Sequence, residues 1–400
     1  MMRSATRPSD TADPAGRWRA LGILSLAMVL SMATWFSAAA VLPQLRTALG
    51  ISNSQGALLT IAVQLGFVAG ALLSAATNLA DLLPARRLVL LGTVGAAAAN
   101  LGLLVVGGFS GAVVARFLVG LSLAGVYGPS LKSMATWFRA QRGTALGVMV
   151  GALTLGSALP HLVNGIGGAD WRAVIIITSL LTIAGGVLAE VAGSDGPYPF
   201  PTTVFDPRKL GLVFTNRPVR LASMGYFGHM WELYAMWAWF AVFFTEVLAG
   251  DGRRAAFATF AVIGVGALGS YVGGVLSDRI GRTQATTLAM TLSGGTALVI
   301  GALVNAPAII VLIVGLFWGF WVVADSAQFS ALVTEYADQR YVGTAVTMQL
   351  AVGFTLTVIT IWLVPLVRDG ASWWLAFAIL APGPALGVVA MQRLRRLTST

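Results

Sequence analysis

Apolar stretches of about 20 residues, each closed by a short polar joint, recur from one end of this chain to the other. A helix of that length crosses the hydrocarbon core of a bilayer. The pattern predicts twelve transmembrane helices over residues 19–42, 54–79, 88–107, 111–135, 143–166, 172–193, 219–247, 254–277, 284–305, 307–332, 342–366 and 372–392. These are numbered spans one to twelve. One joint is long: residues 194–218 hold Asp-Gly-Pro-Tyr-Pro-Phe-Pro and two basic clusters, a composition that reads as a linker. The expected organisation is an N-terminal tail (1–18), a six-helix half (19–193), the linker (194–218), a second six-helix half (219–392) and a short tail (393–400). The fold class is therefore an all-α integral membrane protein of two six-helix halves.

Composition agrees with the pattern and adds an orientation. The chain of 400 residues is 57% hydrophobic and 10% charged, outside the range of soluble globular domains. Of its 25 lysines and arginines, only Arg46, Arg172, Arg253, Arg254, Arg368 and the intramembrane Arg116 lie away from one common face. The positive-inside rule makes that basic face cytoplasmic, with both termini on it, and reads the high net charge as topology rather than nucleic-acid binding. Met1 to Arg17 lacks the basic-then-apolar design of a cleaved signal peptide, so the first apolar segment is expected to stay as a helix. The expected setting is a cell (inner) membrane, with the chain acting as a monomer. No cysteine is present, which excludes disulfides, thiolate metal sites and cysteine nucleophiles. No P-loop, zinc spacing or hydrolase constellation occurs, so neither an enzyme activity, a cofactor nor a metal is expected.

Polar residues inside the spans are the candidate chemistry, because a charged group at bilayer depth is costly and usually functional. Span seven runs through Gly225-Tyr-Phe-Gly-His229-Met-Trp-Glu232, and residues three apart share a helix face. Glu232 falls near the midplane. It reads either as a proton-coupling carboxylate or cationic-substrate partner, or as a structural hydrogen bond to another helix. His229 reads as its proton relay or as a neutral histidine held by a backbone carbonyl. Arg116 in span four reads as an anion-binding fork or as a structural arginine bonded to neighbouring backbone. Asp325 in span ten is a second proton site or part of a charge set with Glu335, Asp338 and Arg340. Among many aromatics, Trp239 on the Glu232 face and Trp35 are the better cavity candidates, whereas His161 after Pro160 reads as structural.

The two halves repeat at an offset of roughly 200 residues. Asp81 after span two is matched by Asp278 after span eight, Gln141-Arg142-Gly143-Thr144-Ala145 by Gln339-Arg340 with Gly343-Thr344-Ala345, and Trp35-Phe36 by Trp239-Phe240. Gly274-Val-Leu-Ser-Asp278-Arg279-Ile-Gly281-Arg282 resembles the loop signature of the major facilitator superfamily, and Arg116-Phe-Leu-Val-Gly120 is similar to its span-four motif. The first-half loop keeps Asp81, Arg86 and Arg87 and loses the glycines. Ala135-Thr-Trp-Phe138 before Arg142-Gly143 resembles bacterial small-anion porters of the nitrate and cyanate kind. Spans two and eight carry no interior arginine, however, which argues against nitrate. The resemblance implies that spans one, four, seven and ten line a central cavity, placing Glu232, His229, Arg116 and Asp325 on cavity helices. Gly274, Asp278, Arg279, Gly281, Arg282 and Asp81 would form the gating loops. The expectation is a secondary transporter moving a small organic solute, an anion by preference, by alternating access with protons as the coupling partner. Proton-antiport efflux and a non-transporting sensor with a side-chain-plugged cavity are the alternatives.

Overall fold

The computed structural model describes residues 14–139, 141–167, 170–198 and 215–398; the side chains of Asn53, Ala80 and Asp81 lie outside the description. The linker expectation falls mostly on residues outside this set. Among the described residues all regular structure is helical, and the twelve expected spans are present. Among the described residues, nine helices are long and apolar enough to cross a membrane by length and composition. The other three spans have visible reasons to fall short. Span one is broken, span three (Ala85–Gly102) is short and opens on Arg86 and Arg87, and span seven (Arg217–Val247) is diluted by its polar residues.

Caps set several helix starts. Span two (Asn53–Ala76) opens on a capping box: Gln55 N–H donates to Ser52 Oγ at 3.2 Å, and Ser52 N–H to the Gln55 side chain at 2.9 Å. Asp170, Asn216 and Asp251 accept the free N–H groups at the starts of spans six (Trp171–Ala192), seven and eight (Gly252–Ile280). Glycine then allows matching close crossings in the two halves. Gly120 of span four (Phe109–Ala135) packs on the backbone of Val63, and Gly319 of span ten packs on that of Val262. A Cβ at either glycine would collide with a carbonyl oxygen, so these crossings exclude any other residue. The internal repeat is thus repeated in packing as well as in sequence.

Three spans are interrupted, which the apolar pattern does not predict. Span one runs as Arg17–Ser31, a 3-10 turn at Met32–Thr34 and a short helix at Ser37–Ala40, followed by a joint helix at Leu42–Leu49. Span ten breaks at Asp325 between Ala308–Ala324 and Ser326–Tyr336, and span twelve breaks between Trp373–Ala378 and Pro382–Thr398. A break in hydrocarbon is tolerable only where protein satisfies the freed backbone groups. Both central breaks lie against ionisable side chains.

On the basic face, the first residues after span six fold back under span four. Gly196 N–H donates to Thr136 Oγ1 at 2.6 Å, Tyr198 N–H to Thr136 O at 3.1 Å, and the Trp137 indole to Ser194 O at 2.8 Å. The segment from Ser194 to Tyr198 is thus bonded to the end of span four.

Candidate transport site

Glu232 sits at the middle of span seven and is 1% exposed. Its Oε1 accepts from the Trp318 indole N–H at 2.6 Å, and its Oε2 from the Ser293 hydroxyl of span nine (Arg282–Ile300) at 2.9 Å. One turn earlier, His229 Nδ1 lies 2.9 Å from Asp325 Oδ1, and its Nε2 lies 3.0 Å from Ser326 Oγ. Asp325 Oδ1 accepts no aligned hydrogen bond, so its contact with His229 is one of proximity. The shared face of His229 and Glu232 is therefore real, but it looks at span ten. Asp325 occupies the break, but its side chain makes no cap hydrogen bond to the helix segment that follows.

Arg116 is held in the other half. Its Nη1 donates to Thr34 O at 3.2 Å, Ser37 Oγ at 3.1 Å and Asn100 Oδ1 at 2.9 Å, and its Nη2 donates to Trp35 O. These carbonyls are the ones released by the break in span one, so the guanidinium takes the place of the missing helical N–H groups. No carboxylate is among its partners. Although both stand on helices expected to line the cavity, Glu232 and Arg116 do not share one: each is buried in a seam within its own half and held by neighbouring helices.

The centre between the halves is aromatic. Trp35 packs on Phe67 at 4.9 Å between ring centroids and on Phe354 at 5.8 Å; Phe36 stacks on Tyr234 at 6.0 Å and meets Trp237 edge-on at 5.7 Å. Beneath them lies a cavity of ≈ 30 Å³, bordered by Tyr127, Thr154, Tyr226, Tyr234, Ser326 and Phe354 among others, with room for about one water. Ser326 connects this space to His229. Trp239 does not reach it; its indole donates to Ile361 O at 2.9 Å in the seam with span eleven (Val342–Gly370). Trp35 and Trp239, equivalent in the repeat, thus differ in place. Sequence reasoning missed Trp318, Ser293, Ser326 and Asn100. Asn100 alone carried a signal, as an amide inside an apolar span.

Around the second-half loop, the Asp278 carboxylate accepts from Thr144 Oγ1 at 3.2 Å and lies against Gly143 at the start of span five (Arg142–Gly167). A carboxylate there complements the positive end of the helix dipole and ties the two halves on the basic face. Gly281 turns the chain at φ +89°, a conformation open to glycine. Arg282 donates to Glu335 at 2.7 Å and to Gln328 at 2.6 Å, fixing span nine to span ten, whereas Gly274 packs on Gly143 and Arg279 is exposed. The Asp81 side chain lies outside the described residues. On the opposite face, Arg253 donates to Gly165 O at 3.1 Å, again across the halves.

Comparison with known proteins matches this architecture. The chain is 24% identical over 305 residues to a protein named "Probable sulfoacetate transporter" from Cupriavidus necator, covering 70% of this chain and 69% of that one. Its fold is similar to that of a proton:xylose symporter bound to 6-bromo-6-deoxy-D-glucose (TM-score 0.73, 15% identity, 96% of each chain covered). It is also similar to a bacterial homologue of the human lysosomal transporter Spinster in an inward-facing, unoccupied conformation (TM-score 0.67, 14% identity, 96% of each chain covered). The sequence model of the Major Facilitator Superfamily matches residues 24–359, and the chain accordingly belongs to that superfamily of membrane transporters.

Proposed function

We propose that this protein carries a small organic anion across the cytoplasmic membrane by alternating access, coupled to protons, with the basic face in the cytoplasm. The observation that carries the coupling is the buried group of His229, Asp325 and Glu232 on two facing helices. Glu232 meets two neutral donors and no cation, so a proton gained or lost changes the charge of the seam by a whole unit. The His229–Asp325 contact sits at the break of span ten and reaches the central cavity through Ser326. Tyr226, whose ring lies 6.1 Å from His229, and Glu232 are the other titratable groups facing it. A discontinuous helix whose break faces the centre is the place where transporters of this plan bind solute and coupling ion. The relative named for sulfoacetate supports an anionic substrate.

The aromatic centre favours a second reading, proton-antiport efflux of a larger apolar solute, since rings offer contact area without charge. A non-transporting sensor would also have a filled centre, and it predicts no flux. The test is a solute panel in proteoliposomes with and without an imposed pH gradient, comparing wild type with Asp325→Asn and Glu232→Gln. Uptake of an organic anion that responds to the gradient in wild type, and loses that response in Asp325→Asn, is expected. Equal gradient dependence in all three proteins would remove the group from coupling.

A further inference from the structure

Five buried side chains on spans one, two, five and seven hold polar atoms with no partner among the described residues: both amide atoms of Gln64, Ser157 Oγ, both ring nitrogens of His161, and the indole nitrogens of Trp35 and Trp237. None is more than 1% exposed. Buried polar groups are normally paired, so these side chains need a cause.

The helix register places them at one level of the molecule. Val150, Leu153 and Thr154 of span five border the cavity, and Ser157 and His161 continue that face by one and two turns away from the basic face. Gly156 packs on Val29 and Met32, and Asn164 donates to Ala40 O at 2.7 Å. Span five therefore runs alongside span one and sets His161 level with Phe36, the residue that Trp237 meets edge-on. Gln64 stands one turn from Phe67, on which Trp35 packs. The tier thus surrounds the Trp35–Phe36 step at the break of span one.

We propose that this tier is the headgroup site for the transported solute, and that it takes the oxygens of a carboxylate or sulfonate on a short carbon body. This rests on the carrier reading above. An indole N–H can only donate, so Trp35 and Trp237 demand an acceptor, and the amide, imidazole and hydroxyl can all supply further donors. Arg116 adds charge. Its guanidinium holds the Thr34 and Trp35 carbonyls, its partners are all neutral, and its positive charge stands uncompensated behind Trp35. An anion answers both the unpaired donors and the unpaired charge, and a polyol answers only the first. The surrounding rings limit the body to a small one.

The test is calorimetric titration of the purified full chain in detergent with sulfoacetate, methanesulfonate and, as an uncharged control, xylose. Saturable binding of the anions is expected, with xylose silent. Trp237→Phe keeps the ring and removes one donor, and Gln64→Leu removes an amide; each should weaken anion binding about tenfold, as loss of a hydrogen bond to a charged group does. Binding of xylose but not of the anions, or unchanged anion affinity in folded Trp237→Phe, would overturn the assignment. Anion binding and flux without response to a pH gradient would sink the coupling reading and leave this one standing. Gradient-driven flux of a solute lacking an oxyanion would do the reverse.

Discussion

Replacing Arg116 by lysine keeps the charge and loses the fork. Four acceptors around the break in span one are served by two guanidinium nitrogens, and a single ammonium cannot span them. Arg116→Lys is expected to cost on the order of 2 kcal/mol, read as a lower Tm in detergent. At Glu232 the outcome depends on what is left unpaired. Glu232→Gln can turn its amide oxygen to the Trp318 indole and its NH₂ to Ser293, so its Tm should stay close to wild type. Glu232→Leu strands the indole N–H and should lower stability by about 1–3 kcal/mol. At this scale the sequence showed which residues were costly to bury, since composition and depth suffice for that. It did not show what satisfies them: the partners of Glu232 are 61 and 86 positions away on other helices. Arg116 illustrates the limit, because the sequence leaves open both an anion fork and a structural arginine bonded to backbone, and its partners are visible only with the broken backbone of span one.

At the scale of elements, the apolar runs placed the spans to within a few residues because length alone decides a crossing. The breaks were not legible. Ser31-Met-Ala-Thr-Trp-Phe-Ser37 holds neither proline nor glycine, and the turn there is sustained by Arg116 from another span. The Asp278 clasp on span five makes a separate prediction. Asp278→Asn removes a charge from a helix start, about 0.3–1 kcal/mol, and should favour opening on the basic face. Since the chain has no cysteine, single cysteines placed along span five report that opening as faster thiol labelling. The joint before span eleven contributes one pH-dependent pair outside the spans. Arg340 donates to Asp338 at 2.6 Å and holds its carboxyl down to about 2, below the ordinary 3.8. With the folded value depressed, the pair contributes fully above about pH 5 and is lost as the pH falls towards 2. Stability profiles of wild type and Asp338→Asn should therefore run parallel from pH 5 to 8 and converge in acid. Any transport change inside that window belongs to other groups.

Across the whole molecule, the halves share their crossings and differ in their chemistry. The glycine contacts at Gly120 and Gly319 are equivalent, whereas the buried arginine belongs to the first half and the acidic pair with its histidine to the second. Duplication was visible in sequence because packing motifs tolerate little change. The division of labour was visible only in part, since Trp35 and Trp239 look alike on paper and one of them faces the centre. The nearly filled centre has a consequence for rates. With space for about one water, a solute has nowhere to dock until the rings part, so encounter is gated by the protein and not by diffusion. Observed association rates in a stopped-flow mixing experiment should then level off with rising solute concentration, and the plateau is the speed at which the empty carrier opens.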